Sequence, residues 1–92
     1  METLIQELRA FIIDNFLFGD VSGRFAFTND DSFQQRGIVD STGILELVCH
    51  LQERYAIEID DAELVPDNLD SVSKVVRFIE RKQREQAIAR AS

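Results

Sequence analysis

Two short stretches of this chain hold side chains with usable chemistry. The first is Asp40-Ser41-Thr42-Gly43. Ser and Thr are indifferent helix formers, and Gly in a helix costs about 1 kcal/mol relative to Ala. A run of small residues just before a strongly periodic segment reads either as a plain cap with a loose first turn or as room made for something that must approach Ser41. Small neighbours would leave the Ser41 hydroxyl open, and a helix N-terminus favours an attached or bound phosphate. Asp40 would offer a carboxylate to a metal carried by a phosphate-transferring partner. The second stretch is Cys49-His50, the chain's one Cys and one His. Neighbours on a helix point about 100° apart, so they do not face each other as a nucleophile and base. Cys49 reads as a small apolar residue near the core, and His50 as a surface or boundary residue, since one His supplies one metal ligand.

Other catalytic or cofactor signatures are missing. There is no glycine-rich phosphate loop and no Cys/His metal spacing. The acids at 58–63 lack the sixth-position Gly and twelfth-position Glu of a calcium loop.

The elements that must position Ser41 follow from apolar spacing. Leu4, Leu8, Phe11, Ile12 and Phe16 predict an amphipathic first helix, ended by Gly19, Ser22 and Gly23. Residues 18–40 have no clean period, and Phe18, Phe25, Phe27 and Phe33 are expected to pin this long segment to the core. Thr28 to Ser32 could form a short helical turn. Residues 41–54 predict the second helix, with Asp40 or Ser41 as N-cap and Ile44, Val48, Leu51 and Tyr55 inward. Leu45 and Leu47 flank that stripe. Tyr55–Ile59 reads as an extended link, and Asp61–Val65 as one helical turn stopped by Pro66. Ser71 caps the last helix, with Val72, Val75, Val76 and Ile79 inward and Lys74, Arg77, Arg81 and Lys82 outward. Core-type residues thin out from Gln83. The expectation is an all-α, small four-helix bundle, three helices long and one short, over residues 1–82, with 83–92 a helical extension or frayed tail.

At 92 residues the chain is one domain with little interior. Its net charge of −7 argues against nucleic acid and an anionic membrane surface. No apolar run approaches the roughly 20 residues of a spanning helix. One Cys fits a reducing compartment, so a cytoplasmic, monomeric protein is expected. The charge is uneven. Residues 40–70 hold nine acids against Arg54 alone, whereas residues 71–92 carry a net +4. The acidic stretch reads as a solubilising surface or as a docking face for basic partners.

The stretch Gly37-Ile38-Val39-Asp40-Ser41-Thr42-Gly43-Ile44-Leu45-Glu46-Leu47-Val48 resembles the attachment-site motif of acyl carrier proteins: an apolar residue, then Asp-Ser, at the start of the second helix. Leu51, Glu53, Tyr55, Ile57, Glu58 and Ile59 resemble that family's continuation. Asp61 and Glu63 resemble its acidic third-helix region, and Leu69, Ser71, Val72, Val75 and Ile79 its fourth helix. The resemblance covers about residues 37–80.

It implies that Ser41 is modified by a phosphopantetheinyl transferase, with Asp40 helping to bind the transferase's magnesium. The 4'-phosphopantetheine arm would carry an acyl or aminoacyl group as a thioester. Thr42, Glu46, Cys49, Glu53, Glu58, Asp60, Asp61 and Glu63 would form the face read by partners. The carrier itself would have no catalytic residue. Thr42-Gly43 departs from the Leu that usually follows Asp-Ser in fatty-acid synthesis carriers, and is closer to D-alanyl and stand-alone carriers loaded by a separate adenylating ligase. A downstream acyltransferase or synthase would then take the group. In fatty-acid carriers the position of Cys49 is often a partner-facing Met, so the resemblance leaves Cys49 open between core and surface. The alternative reading is an acidic helical adaptor that carries nothing.

Overall fold

The computed structural model describes residues 2–16 and 27–91. They contain α1 (Glu2–Phe16), α2 (Ser41–Tyr55), α3 (Pro66–Leu69) and α4 (Val72–Ala91), with a 3-10 turn at Asp61–Glu63 ahead of α3. Among the described residues there is no strand. The fold is a small all-α bundle, as the spacing predicts.

Each helix turns one stripe inward. Leu8 and Ile12 of α1, Leu47, Val48 and Leu51 of α2, and Val72, Val75, Val76, Phe78 and Ile79 of α4 are buried in one cluster. Phe27 and Phe33 join them, as expected of residues that pin the first connection. Phe18, Phe25 and the Gly19–Gly23 stop fall outside the described residues. The α2 stripe is centred slightly differently from the sequence expectation. Leu47 is fully buried rather than flanking, while Ile44 and Tyr55 pack only partly against the cluster.

The connection before α2 is fixed by hydrogen bonds as well as by its aromatics. Arg9 of α1 donates to the Phe27 carbonyl and to Asn29 Oδ1, both at 2.9 Å, and its guanidinium lies 4.2 Å from the Phe27 ring centroid. The Phe33 N–H donates to the Asp70 carbonyl at 2.7 Å, and the Gln34 N–H to Asp70 Oδ1 at 3.1 Å. The Ser32 hydroxyl also donates to the Asp70 carboxylate. The Ser73 N–H reaches back to the Asn29 carbonyl at 2.9 Å. Residues 27–40 are therefore tied to α1 at one end and to the α3–α4 junction at the other. Thr28–Asp31 is a backbone turn, closed by the Asp31 N–H on the Thr28 carbonyl, and not a helical one.

One boundary and one side-chain placement differ from the sequence reading. Pro66 starts a helix instead of only stopping one. It stands at the first position of α3, where its missing N–H would be unpaired in any case. Lys82 is not on the outer face: its ammonium bonds Glu63 Oε1 at 2.9 Å, and its side chain is only 13% exposed. Ser71 caps α4 as expected, its hydroxyl accepting from the Lys74 N–H at 3.1 Å. Beyond Gln83, α4 continues unbroken to Ala91. Gln86 accepts from the Glu58 N–H and donates to the Ala56 carbonyl, both at 2.9 Å.

Candidate functional site

The site begins with a helix start. Of the two candidate caps, Asp40 is the one used. Its backbone is extended, and Oδ1 accepts the Gly43 N–H at 2.7 Å. The bond satisfies one of the donors that a helix N-terminus leaves unpaired. Ser41 is thus the first residue of α2. Its chain neighbours Asp40 and Thr42 are exposed.

Gly43 has a packing role that the sequence did not reveal. It is buried, and a Cβ there would lie 2.8 Å from Phe16 Cε1, 3.0 Å from Val39 Cγ1 and 3.2 Å from Asp40 Oδ1. The end of α1 therefore presses its Phe16 ring against the first turn of α2. Smallness at 43 lets two helices meet next to Ser41. The signal was present in the sequence as an unexplained Gly, but its cause lies in a side chain 27 positions away.

Behind this turn, α2 presents an exposed face. Thr42, Leu45, Glu46, Cys49 and Glu53 line a groove of about 480 Å³ shared with Phe11 and Asn15 of α1 and with His50. Leu45 is 57% exposed and Cys49 is exposed. The His50 ring stacks on Phe11 at 3.8 Å, with 7° between planes. Burial, then the Arg54 charge, holds the imidazole below its usual value of 6.5. Tyr55 sits behind it, donating its hydroxyl to Glu7 Oε2 at 2.9 Å, while Arg54 donates to Glu7 Oε1 at 2.8 Å. Burial and the Glu7 carboxylate push the Tyr55 phenol up to about 12.

The remaining acids are not on that face. Glu58 lies beside α4, where its N–H meets Gln86. Asp60 and Glu63 close the 3-10 turn on each other: the Asp60 N–H donates to Glu63 Oε1 at 3.0 Å, and the Glu63 N–H to the Asp60 carbonyl at 2.9 Å. Glu63 is also paired with Lys82 at 2.9 Å and Arg81 at 3.8 Å. Burial alone would raise its pKa, but the Asp60 N–H and the two cations outweigh burial and hold it below the ordinary range. Asp61 is exposed at the start of the turn. The structure thus groups Thr42, Glu46, Cys49 and Glu53 along one groove, which Glu58, Asp60, Asp61 and Glu63 do not line.

A second groove, of about 190 Å³, opens on the other side of the first turn of α2. Ile44, Leu64, Val65, Pro66 and Leu69 line it, with Gln34 and Asp70 at its polar part. Sequence reasoning missed it, because its walls come from three separate segments. Among the described residues, no group of three or more His, Cys, Asp or Glu could hold a metal ion. No described helix is long and apolar enough to cross a membrane.

The chain is thus an α-helical bundle whose second helix opens with Asp40 as cap and Ser41 as first residue. Comparison with known proteins finds similar chains. The chain is 28% identical over 79 residues to the D-alanyl carrier protein of Streptococcus pyogenes serotype M5 (strain Manfredo), covering 86% of this chain and 95% of that one. The D-alanyl carrier proteins of S. pyogenes serotypes M49 (strain NZ131) and M1 match with the same identity and coverage. These relatives support an acyl-carrier-type family, closer to the D-alanyl carriers, for this chain. They are carrier proteins and not enzymes. No family model and no solved structure matches the chain.

Proposed function

We propose that this protein carries an acyl or aminoacyl group on a 4'-phosphopantetheine arm attached to Ser41, and presents it to partner enzymes. The observation that carries the proposal is the start of α2: Asp40 caps it through Oδ1, Ser41 opens it, and both chain neighbours of Ser41 are exposed. These residues fit the group, since a transferase must reach Ser41 and the described neighbours leave that approach open. When attached, the arm supplies a terminal thiol that holds the cargo as a thioester. The chain's own contribution is positional. A tether keeps its cargo at high effective concentration near each docked enzyme.

Other residues have assigned roles in this reading. Asp40 lends its carboxylate to the transferase's magnesium while holding the first turn. Thr42, Leu45, Glu46, Cys49 and Glu53 meet partners. Glu46 and Glu53 steer basic surfaces, and Leu45 supplies an apolar contact at the centre. The small residues after Ser41 and the D-alanyl carrier relatives favour loading by a separate adenylating ligase in the cytoplasm, with a downstream acyltransferase or synthase as acceptor.

The test is direct. Apo protein is incubated with coenzyme A, magnesium and a broad-specificity phosphopantetheinyl transferase, and intact mass is recorded. The expected result is one added phosphopantetheine on wild type and none on Ser41→Ala. An unmodified wild type, or an equal gain on Ser41→Ala, contradicts the proposal and leaves the acidic adaptor, whose groove would be unaffected by Ser41→Ala.

A further inference from the structure

The carrier reading leaves α4 unused, although its outer face is a concentrated basic surface among the described residues. Lys74, Arg77, Arg81 and Arg84 follow one another at spacings of three, four and three residues, and Ile88 comes four further on. That periodicity places all five on one ridge of the helix. The four cations line a surface depression of about 470 Å³ together with Glu80, Phe78 and the α3 residues Asp67 and Asn68. Arg81 reaches Glu63 at 3.8 Å. Among the described residues, no carboxylate lies within 4.0 Å of a Lys74, Arg77 or Arg84 nitrogen. Ile88 is 70% exposed.

The complement of this ridge is on the same molecule. The α2 groove is lined by Glu46, Glu53 and the exposed Leu45. Glu46 and Glu53 are seven residues apart, as are Arg77 and Arg84. At 1.5 Å per residue both pairs span about 10.5 Å. Laid antiparallel, Arg84 meets Glu46, Arg77 meets Glu53, and Arg81 comes level with Cys49. Ile88 then comes level with Thr42 and within one turn of Leu45. Laid parallel, Ile88 would pass beyond the end of α2 and lose that contact.

The geometry points to a second copy of this chain as the occupant: the α4 ridge of one molecule docks antiparallel into the α1–α2 groove of another. A flat anionic bilayer or a nucleic acid suits the ridge less well. Each would press an extended anionic surface against the flanking Glu80 and Glu85, whereas a discrete groove needs to match only the ridge. The contact is heterologous, so the rotation between neighbours decides whether it builds a closed ring or an open chain. Exposed ion pairs are individually weak and screened by salt, so the association is transient. It also covers the surface that the carrier reading assigns to enzymes, making self-docking and enzyme docking mutually exclusive. The inference does not itself rest on phosphopantetheine attachment.

Sedimentation equilibrium at low ionic strength and high protein concentration tests it. The expected result is a concentration-dependent mass above the 10.5 kDa monomer, falling back to monomer at physiological ionic strength and above, where the Debye length is about 8 Å or less. Arg77→Gln/Arg84→Gln and Glu46→Gln/Glu53→Gln should each be monomeric alone, with unchanged circular dichroism. Mixed, they should form a one-to-one pair and go no further, because each retains one working surface. A wild type that stays monomeric, whether or not it sediments with phosphatidylglycerol vesicles or binds nucleic acid, overturns the inference. So does self-association undiminished in either double variant.

Discussion

Asp40 serves two demands that a single substitution can separate. As a cap it needs only an acceptor oxygen for the Gly43 N–H. As a magnesium partner in the proposed loading it needs a carboxylate. Asp40→Asn keeps the acceptor, so its melting temperature should match wild type while its rate of modification by a transferase falls. Asp40→Ala loses both and should cost about 1 kcal/mol of stability. A drop in loading for Ala but not for Asn would assign Asp40 to structure alone. Tyr55 offers a second measurement at this scale, because it is the chain's only tyrosine. Its folded pKa is about 12 against an ordinary 10.0. A pKa raised on folding contributes stability that is complete below pH 10 and is lost as pH rises toward 12. Phenolate absorbance should therefore appear near pH 12 in the folded protein, and earlier in Glu7→Gln. An unchanged midpoint in Glu7→Gln would remove the α1–α2 bond from the explanation.

Among elements, the junction of α1 with α2 shapes the site. Gly43→Ala would gain about 1 kcal/mol of helix propensity. Against that, its Cβ would stand 2.8 Å from Phe16 Cε1 and 3.0 Å from Val39 Cγ1, and overpacking of this kind costs about 1–3 kcal/mol. Net destabilisation in urea unfolding is expected, relieved by adding Phe16→Leu. A Gly43→Ala variant more stable than wild type would show that the ring simply moves aside. This junction also marks where sequence reading stops. The spans of α1 and α2, the Ser71 cap and the pinning roles of Phe27 and Phe33 are legible because each rests on local spacing or on a large apolar side chain. Which neighbour Gly43 accommodates, and the engagement of Glu63 by Lys82, depend on how distant segments meet. Periodicity places a residue on a face but does not say what faces it.

For the whole molecule, uneven charge and a small core set the behaviour. The core is one cluster drawn from every long helix and the 27–40 segment, so damage at one point is felt everywhere. Val48→Asp puts an unpaired charge at a position only 8% exposed. Such burial costs several kcal/mol against a total stability of about 5–15 kcal/mol. Loss of helical circular dichroism at room temperature is expected; a folded Val48→Asp would mean that the helix phase is wrong. The acidic stretch at 40–70 looked continuous in sequence, yet the fold divides it. Glu46 and Glu53 border the open groove of α2, while the Glu63 carboxylate is paired with Lys82 and Arg81 of α4. A charge tally along the chain cannot show that division, because the division depends on where α4 lies.

Intact mass of the protein isolated from its own host decides whether Ser41 is an attachment point. The expected result is a mass increased by phosphopantetheine, alone or with its thioester cargo, mapped to the peptide containing Ser41. Release of the cargo by hydroxylamine should leave the arm in place. A native protein found only at its unmodified mass, and still unmodified after exposure to coenzyme A and an active transferase, would contradict it.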